Sequence, residues 1–241
     1  MKDSQPDPSH LLKRTDLTTS LIGFYDAPHP KHFEPLVTPQ PRDCVFSFYK
    51  NWIEGETLHI TKKHYGCRGA GRWMCGIETI SKKEFIKFLV DEEGLKASPE
   101  LMEKWIDSST PYQATYPHLL VGPLKEDQWK YAKSITFFVN PDQLSTLMIG
   151  AQYNSAPDDP PPVIAPFGSG CMELLPFKNP NIPQAALGAT DIAMRKHLPP
   201  DILAFTVTKP MFERLCGLDE RSFLYKPFLQ NLRKARALPD F

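Results

Sequence analysis

The sequence predicts an α/β (or α+β) fold in which a single mixed β-sheet carries flanking helices joined by proline-rich loops. Three observations lead there. Apolar runs of strand length alternate along the chain with amphipathic stretches of helical period. Hydrophobic residues make up 41% and charged residues 23% of the 241 positions, close to the averages of folded proteins, and a chain this long buries a sizeable core. Proline, at 25 residues, stands about twofold above its usual ~5%; a residue that fixes φ and donates no N–H belongs in rigid, extended connections.

The elements follow in order. A short helix is expected around Leu11 to Leu21. Pro28, Pro30, Pro35, Pro39 and Pro41 then read as an extended strap, so residues 1–41 form a helix and strap ahead of a single α/β domain over residues 42–241. Cys44-Val-Phe-Ser-Phe-Tyr49, rich in β-branched and aromatic residues, reads as the first strand. Ser81-Lys-Lys-Glu84 has the capping-box spacing and opens a helix from about 82 to 91. Ser98-Pro99-Glu100 opens a second, with Leu101, Met102, Trp105 and Ile106 as its apolar stripe. His118 to Val121 reads as a strand. Ser134-Ile-Thr-Phe-Phe-Val139 has the continuous apolar pattern of a strand covered on both faces, and Asn140-Pro-Asp142 starts the helix after it. Val163 to Ala165 and Ile202 to Val207 supply further strands, the latter followed by a helix near Pro210. Phe223 to Ala237 reads as helical with a break or start at Pro227.

Charge and composition narrow the partners. Lys+Arg and Asp+Glu both number 28, so the formal charge is zero and no global field draws the chain to nucleic acid or anionic lipid. Met1 to Thr19 lacks the apolar core of a signal peptide, and no segment approaches the ~20 apolar residues of a membrane helix. Five cysteines, an odd number, suit reduced thiols better than a disulfide framework. A cytoplasmic protein with neither nucleic-acid nor membrane partners is expected.

The chemistry concentrates in His64-Tyr-Gly-Cys-Arg-Gly-Ala-Gly-Arg-Trp-Met-Cys-Gly76. Gly66, Gly69, Gly71 and Gly76 flank Cys67 and Cys75, in a chain with only 13 glycines. Such a loop turns sharply and exposes N–H groups able to cradle an anion, while Arg68 and Arg72 add charge-assisted donors. It is no Walker loop, because Gly-Lys-Ser/Thr is missing, and its glycine spacing is not the dinucleotide fingerprint. Cys67 and Cys75 lie eight apart, unlike the Cys-x2-Cys of structural zinc sites. Cys171 follows a second tight loop, Phe167-Gly-Ser-Gly-Cys171, whose Gly168 and Gly170 are candidate cofactor contacts. If the two loops converge, three thiolates, with or without His64, suit an iron–sulfur cluster or zinc, since soft ligands select those metals. The same residues read otherwise as one activated thiol, or as small apolar filler. Cys44 and Cys216 are assigned to packing, Asp191 and Arg195 to an i,i+4 ion pair, and His118 and His197 to structural roles.

The order of these features also carries a family resemblance. The glycine–cysteine loop, Asn140-Pro-Asp-Gln143, Gly168-Ser-Gly-Cys-Met172 and Gly188-Ala-Thr-Asp-Ile-Ala-Met-Arg195 together resemble the prokaryotic domain-of-unknown-function family one-six-nine, from about Arg42 to Leu224. The resemblance implies one shared domain of bacterial or archaeal type, with Cys67, Cys75 and Cys171 as candidate site residues and no assigned activity.

Three functions are therefore expected in turn. The first is a cysteine-based protein that binds a metal, iron–sulfur cluster or other cofactor through Cys67, Cys75 and Cys171, for redox or small-molecule work. The second is a cofactor-free thiol enzyme with Cys67 or Cys75 as nucleophile. The third is a module holding an anionic small molecule by backbone N–H groups.

Overall fold

A computed structural model of the chain describes residues 4–168, 170–174 and 179–236. In chain order these contain α1 (Ser9–Thr15), β1 (Ile22–Ala27), β2 (Leu36–Val37), α2 (Tyr49–Ile53), β3 (Thr57–Ile60), α3 (Arg68–Trp73), α4 (Lys82–Lys87), α5 (Pro99–Ser108), β4 (His118–Pro123), β5 (Ala132–Val139), α6 (Pro141–Gln152), β6 (Val163–Ile164), β7 (Ala185–Gly188), β8 (Leu203–Val207), α7 (Lys209–Cys216) and α8 (Pro227–Arg236). The strands form one mixed sheet in the order β2-β3-β4-β1-β5-β8-β7-β6. The β2–β3 and β6–β7 pairs are parallel and the others antiparallel.

Each face of the sheet carries its own apolar core. Leu58 and Ile60 of β3, Phe24 of β1 and Phe138 of β5 pack on one face with Trp73 of α3, Phe85 of α4 and Ile106 of α5. Tyr25, Ile135, Phe137 and Phe205 pack on the other with Leu11 of α1, Leu147 of α6 and Phe212 of α7. Strand alternation sorts the residues between the two, and helices cover both faces, the expected α/β architecture.

The local signals that succeed do so through caps. Ser81 and Glu84 close a reciprocal capping box on α4, and Asn140 and Gln143 do the same on α6. Ser98 caps α5 and Thr208 caps α7. Ala237, expected at the end of the last helix, lies outside the described residues.

Two expectations are corrected. The stretch read as an extended strap supplies β1 and β2, and β1 is buried along its whole length between β4 and β5. Its prolines only begin at Pro28, just past the strand. Residues 44–49 are not a strand: they form a 3-10 turn over Val45–Phe48 that runs into α2. The Ser47 N–H and hydroxyl both donate to the Cys44 carbonyl, at 2.9 and 2.7 Å, which closes the turn and drives the adjacent Val45 and Phe46 into one core. Phe46 and Trp52 then meet Phe138 at ring-centroid distances of 6.4 and 6.1 Å.

Asp26, fully buried near the end of β1, is the polar anchor of this arrangement. Its carboxylate accepts the Tyr112 hydroxyl at 2.9 Å and the N–H groups of Thr115 and Tyr116 at 2.7 and 2.8 Å. Three donors offset the cost of taking a carboxylate out of water. Asp26→Ala strands all three and is expected to cost about 3 kcal/mol of stability, and Asp26→Asn about half as much. Urea unfolding measures both; a loss below about 1 kcal/mol for the alanine variant contradicts the anchor role.

Candidate functional site

The glycine-rich segment is a helix rather than an open loop. Gly69 and Gly71 lie inside α3, where the Gly71 N–H is given to the Cys67 carbonyl at 3.0 Å and the Met74 N–H to Ala70 at 2.9 Å. Those N–H groups are thereby withdrawn from anion cradling. At Gly71 a Cβ would lie 2.8 Å from the Tyr65 ring, so the glycine admits that side chain. Gly76, at φ +66°, lets the chain double back until the Ile77 N–H reaches the Gly71 carbonyl at 2.9 Å.

Gly66 does more. It adopts φ +78°, and a Cβ there would stand 2.5 Å from the Asp43 carbonyl oxygen and 3.3 Å from Pro39. The Arg42 N–H donates to the Gly66 carbonyl at 3.1 Å, and Arg42 itself is held at φ +78°, a left-handed conformation uncommon for a side-chain-bearing residue. Segments 39–43 and 65–66 are thus pressed together, backbone on backbone. Cys44 and Cys67 come directly after the residues in contact.

Cys44 packs against the core, as its sequence context has it, and its thiol also feels Cys67. Both thiols are half-buried against the core of the α3 face. Desolvation pushes the Cys44 thiol up to about 11, and the nearby Cys67 and Asp191 push the same way, against N–H donation from Phe46 and Ser47. Asp191 accepts the N–H of Gly170 at 3.1 Å and of Ala193 at 2.9 Å. Its expected ion pair with Arg195 is not formed; Arg195 donates to the carbonyls of Ile202, Pro199 and Pro200. Glu93 feels Asp191 as well, its carboxyl raised by burial first and then by Asp191 and Glu92.

The two glycine segments do meet, because α3 packs against the short 3-10 turn Gly170–Leu174. At Gly170 a Cβ would lie 2.9 Å from Met194 and 3.0 Å from the Phe46 ring; at Gly168 it would lie 2.8 Å from Met172 and 3.4 Å from Trp105. Both glycines serve close packing. Ser169 lies outside the described residues. Cys171 and Cys75 are buried in the same core. The Cys75 thiol faces the Thr61 carbonyl at 3.8 Å and is pushed up to about 11 by desolvation, against the nearby Lys62. His64 closes the turn in which Thr61 and His64 exchange backbone hydrogen bonds, and its charge is felt by His59. Among the described residues, no group of three or more His, Cys, Asp or Glu side chains is placed to hold a metal ion.

The arginines turn to aromatic rings. Arg68 lies over Phe88 at 5.8 Å; Arg72 lies over Trp73 and Phe85 at 5.1 and 5.6 Å and pairs with Glu78 at 3.6 Å. The charges resolved near Cys44 are the other cysteine and a carboxylate. What sequence reasoning missed is thus Cys44 and Asp191. Gly66 next to Cys67 was the available signal, but its contact with residue 43 is long-range.

No helix among the described residues is long and apolar enough to cross a membrane. A family model described as uncharacterised ArCR, DUF169, matches residues 11–217. The match starts well before the expected Arg42 and takes in β1. No curated protein and no solved structure matches.

Two outcomes follow. Gly66→Ala meets both a forbidden φ and a backbone oxygen and is expected to cost about 3 kcal/mol, whereas Gly76→Ala, with open space around it, costs about 1 kcal/mol; equal losses in thermal unfolding contradict the contact. Burial raises the Cys75 thiol to about 11 and the Cys216 thiol to about 12, so at pH 8 roughly one in a thousand or fewer is thiolate. Iodoacetamide on the native chain should label both slowly, and rapid labelling of Cys75 or Cys216 contradicts their burial.

Proposed function

Because the chain belongs to the DUF169 family, whose description assigns no activity, we propose from its own geometry that Cys44 and Cys67 form a redox-active thiol pair. The observation that supports this reading is the Arg42–Gly66 hydrogen bond beside the Asp43–Gly66 contact, which holds the two cysteine-bearing segments side by side.

The reaction is thiol–disulfide exchange with a low-molecular-weight disulfide. The Cys67 thiolate attacks one sulfur of that disulfide and expels the first thiolate. The Cys44 thiolate then attacks the Cys67 sulfur of the mixed disulfide and expels the second. Two protein thiols lose two protons and two electrons and gain one S–S bond, while the small disulfide becomes two thiols. Desolvation and Asp191 disfavour the Cys44 thiolate; an environment that does not stabilise the thiolate form places a pair on the reducing side of the scale. Five thiols with no disulfide among them suit a reducing compartment such as the cytoplasm.

Treating the native chain with diamide and mapping its peptides tests the pair. The expected product is one intramolecular disulfide joining Cys44 to Cys67, with Cys75, Cys171 and Cys216 still reduced. Cys44→Ser should leave Cys67 as a small-molecule adduct. Oxidation that spares Cys44 and Cys67, or links either to a different cysteine, overturns the reading.

A further inference from the structure

Away from the thiol site, two of the seven histidines meet. Nε2 of His59 on β3 lies 2.9 Å from Nδ1 of His118 on β4. The register explains the contact. Leu120 stands opposite His59, so His118, two residues along β4, is its diagonal neighbour on the same face. Leu58 and Ile60 point into the core of the α3 face; the imidazoles stand on the opposite side, where the strands end and His118 pairs with Ala27 of β1. Both rings are partly exposed, with centroids 5.0 Å apart and planes inclined by 43°. His64 and His29, both exposed, are near enough for their charge to be felt by His59 and His118 respectively.

We propose that His59 and His118 form a two-imidazole site for a borderline divalent ion, Zn2+ or Ni2+, with His64 and His29 at its rim and water completing the coordination. Imidazole nitrogens select such ions over Mg2+ or Ca2+. Around a tetrahedral ion with Zn–N near 2.0–2.1 Å, two nitrogens lie about 3.3 Å apart. The nitrogens must separate by about 0.4 Å from their hydrogen-bonded spacing, and the rings must tilt so that both lone pairs converge on the ion instead of facing each other. As ligands both rings must be neutral. The ring that donates in the apo pair gives up its bridging proton and takes one on its other nitrogen, with no net release. Among the described residues no third His, Cys, Asp or Glu completes a preformed cage, which makes this an open two-donor site.

Zn2+ titrated calorimetrically into the intact chain at pH 7.5 tests the site. One ion per chain is expected, bound at least about tenfold more weakly when His59→Gln and His118→Gln are combined. His197→Gln, remote from the pair in sequence, leaves binding unchanged, and so does Cys44→Ser with Cys67→Ser. Zn2+ also raises the melting temperature of the wild type and not of the double-histidine variant, whose fold circular dichroism verifies. Absence of saturable binding by the wild type, undiminished binding by the folded double-histidine variant, or loss on removing the two cysteines instead overturns the proposal.

Discussion

The contact between Gly66 and the Asp43 carbonyl fixes the rest of the candidate site. It leaves no room for a Cβ, demands a left-handed backbone, and is tied by a hydrogen bond to a second left-handed residue, Arg42. Strain of this kind persists only where surrounding packing over-determines it. Here the packing comes from both directions: residues 45–52 are driven under Phe138, and α3 is driven under the sheet by Ala70, Trp73 and Met74. The cysteines are carried into place by these forces.

A second link ties the site to the middle of the sheet. Tyr112 donates its hydroxyl to Asp26 and its backbone N–H to the Trp73 carbonyl at 2.8 Å. The end of β1 thus holds the end of α3 through one residue. The Tyr112 ring also meets Phe24 of β1 edge-on at 5.4 Å. A buried carboxylate, a tyrosine and a helix end form one mechanical unit, and α3 cannot shift without disturbing the central strand.

Much of the fold is legible in the sequence because its signals are local. Capping boxes at Ser81 and Asn140 bring their own partners three residues away, and the apolar run of β5 needs no context to read as a buried strand. β1 is hidden because Pro28 and Pro30 follow it at once and colour the whole stretch as extended linker. Residues 44–49 mislead because Val, Phe and Tyr favour strands, while Ser47 reaching back to the Cys44 carbonyl decides the matter. At the site, glycine density correctly marks α3 and the 170–174 turn as closely packed. Cysteine spacing along the chain cannot reveal that the segments before Cys44 and Cys67 are joined backbone to backbone through Arg42, Asp43 and Gly66. The electrostatics of Cys44 have no signal in the sequence around it. Arg68 and Arg72 are prominent in the sequence, yet their guanidinium groups lie on aromatic rings, and Asp191 reaches Cys44 from a loop more than a hundred residues away.

The proposed thiol pair is positioned by backbone contact, with the Cys44 thiol desolvated near Asp191. Equilibrating the native chain with graded mixtures of reduced and oxidised glutathione, then quantifying each cysteine by peptide mapping, tests it most directly. Cys44 and Cys67 should leave the reduced pool together in one two-electron transition, tenfold in equilibrium constant per ~30 mV, while the other three cysteines stay reduced. A stable glutathione adduct on Cys67 with Cys44 still reduced would contradict it.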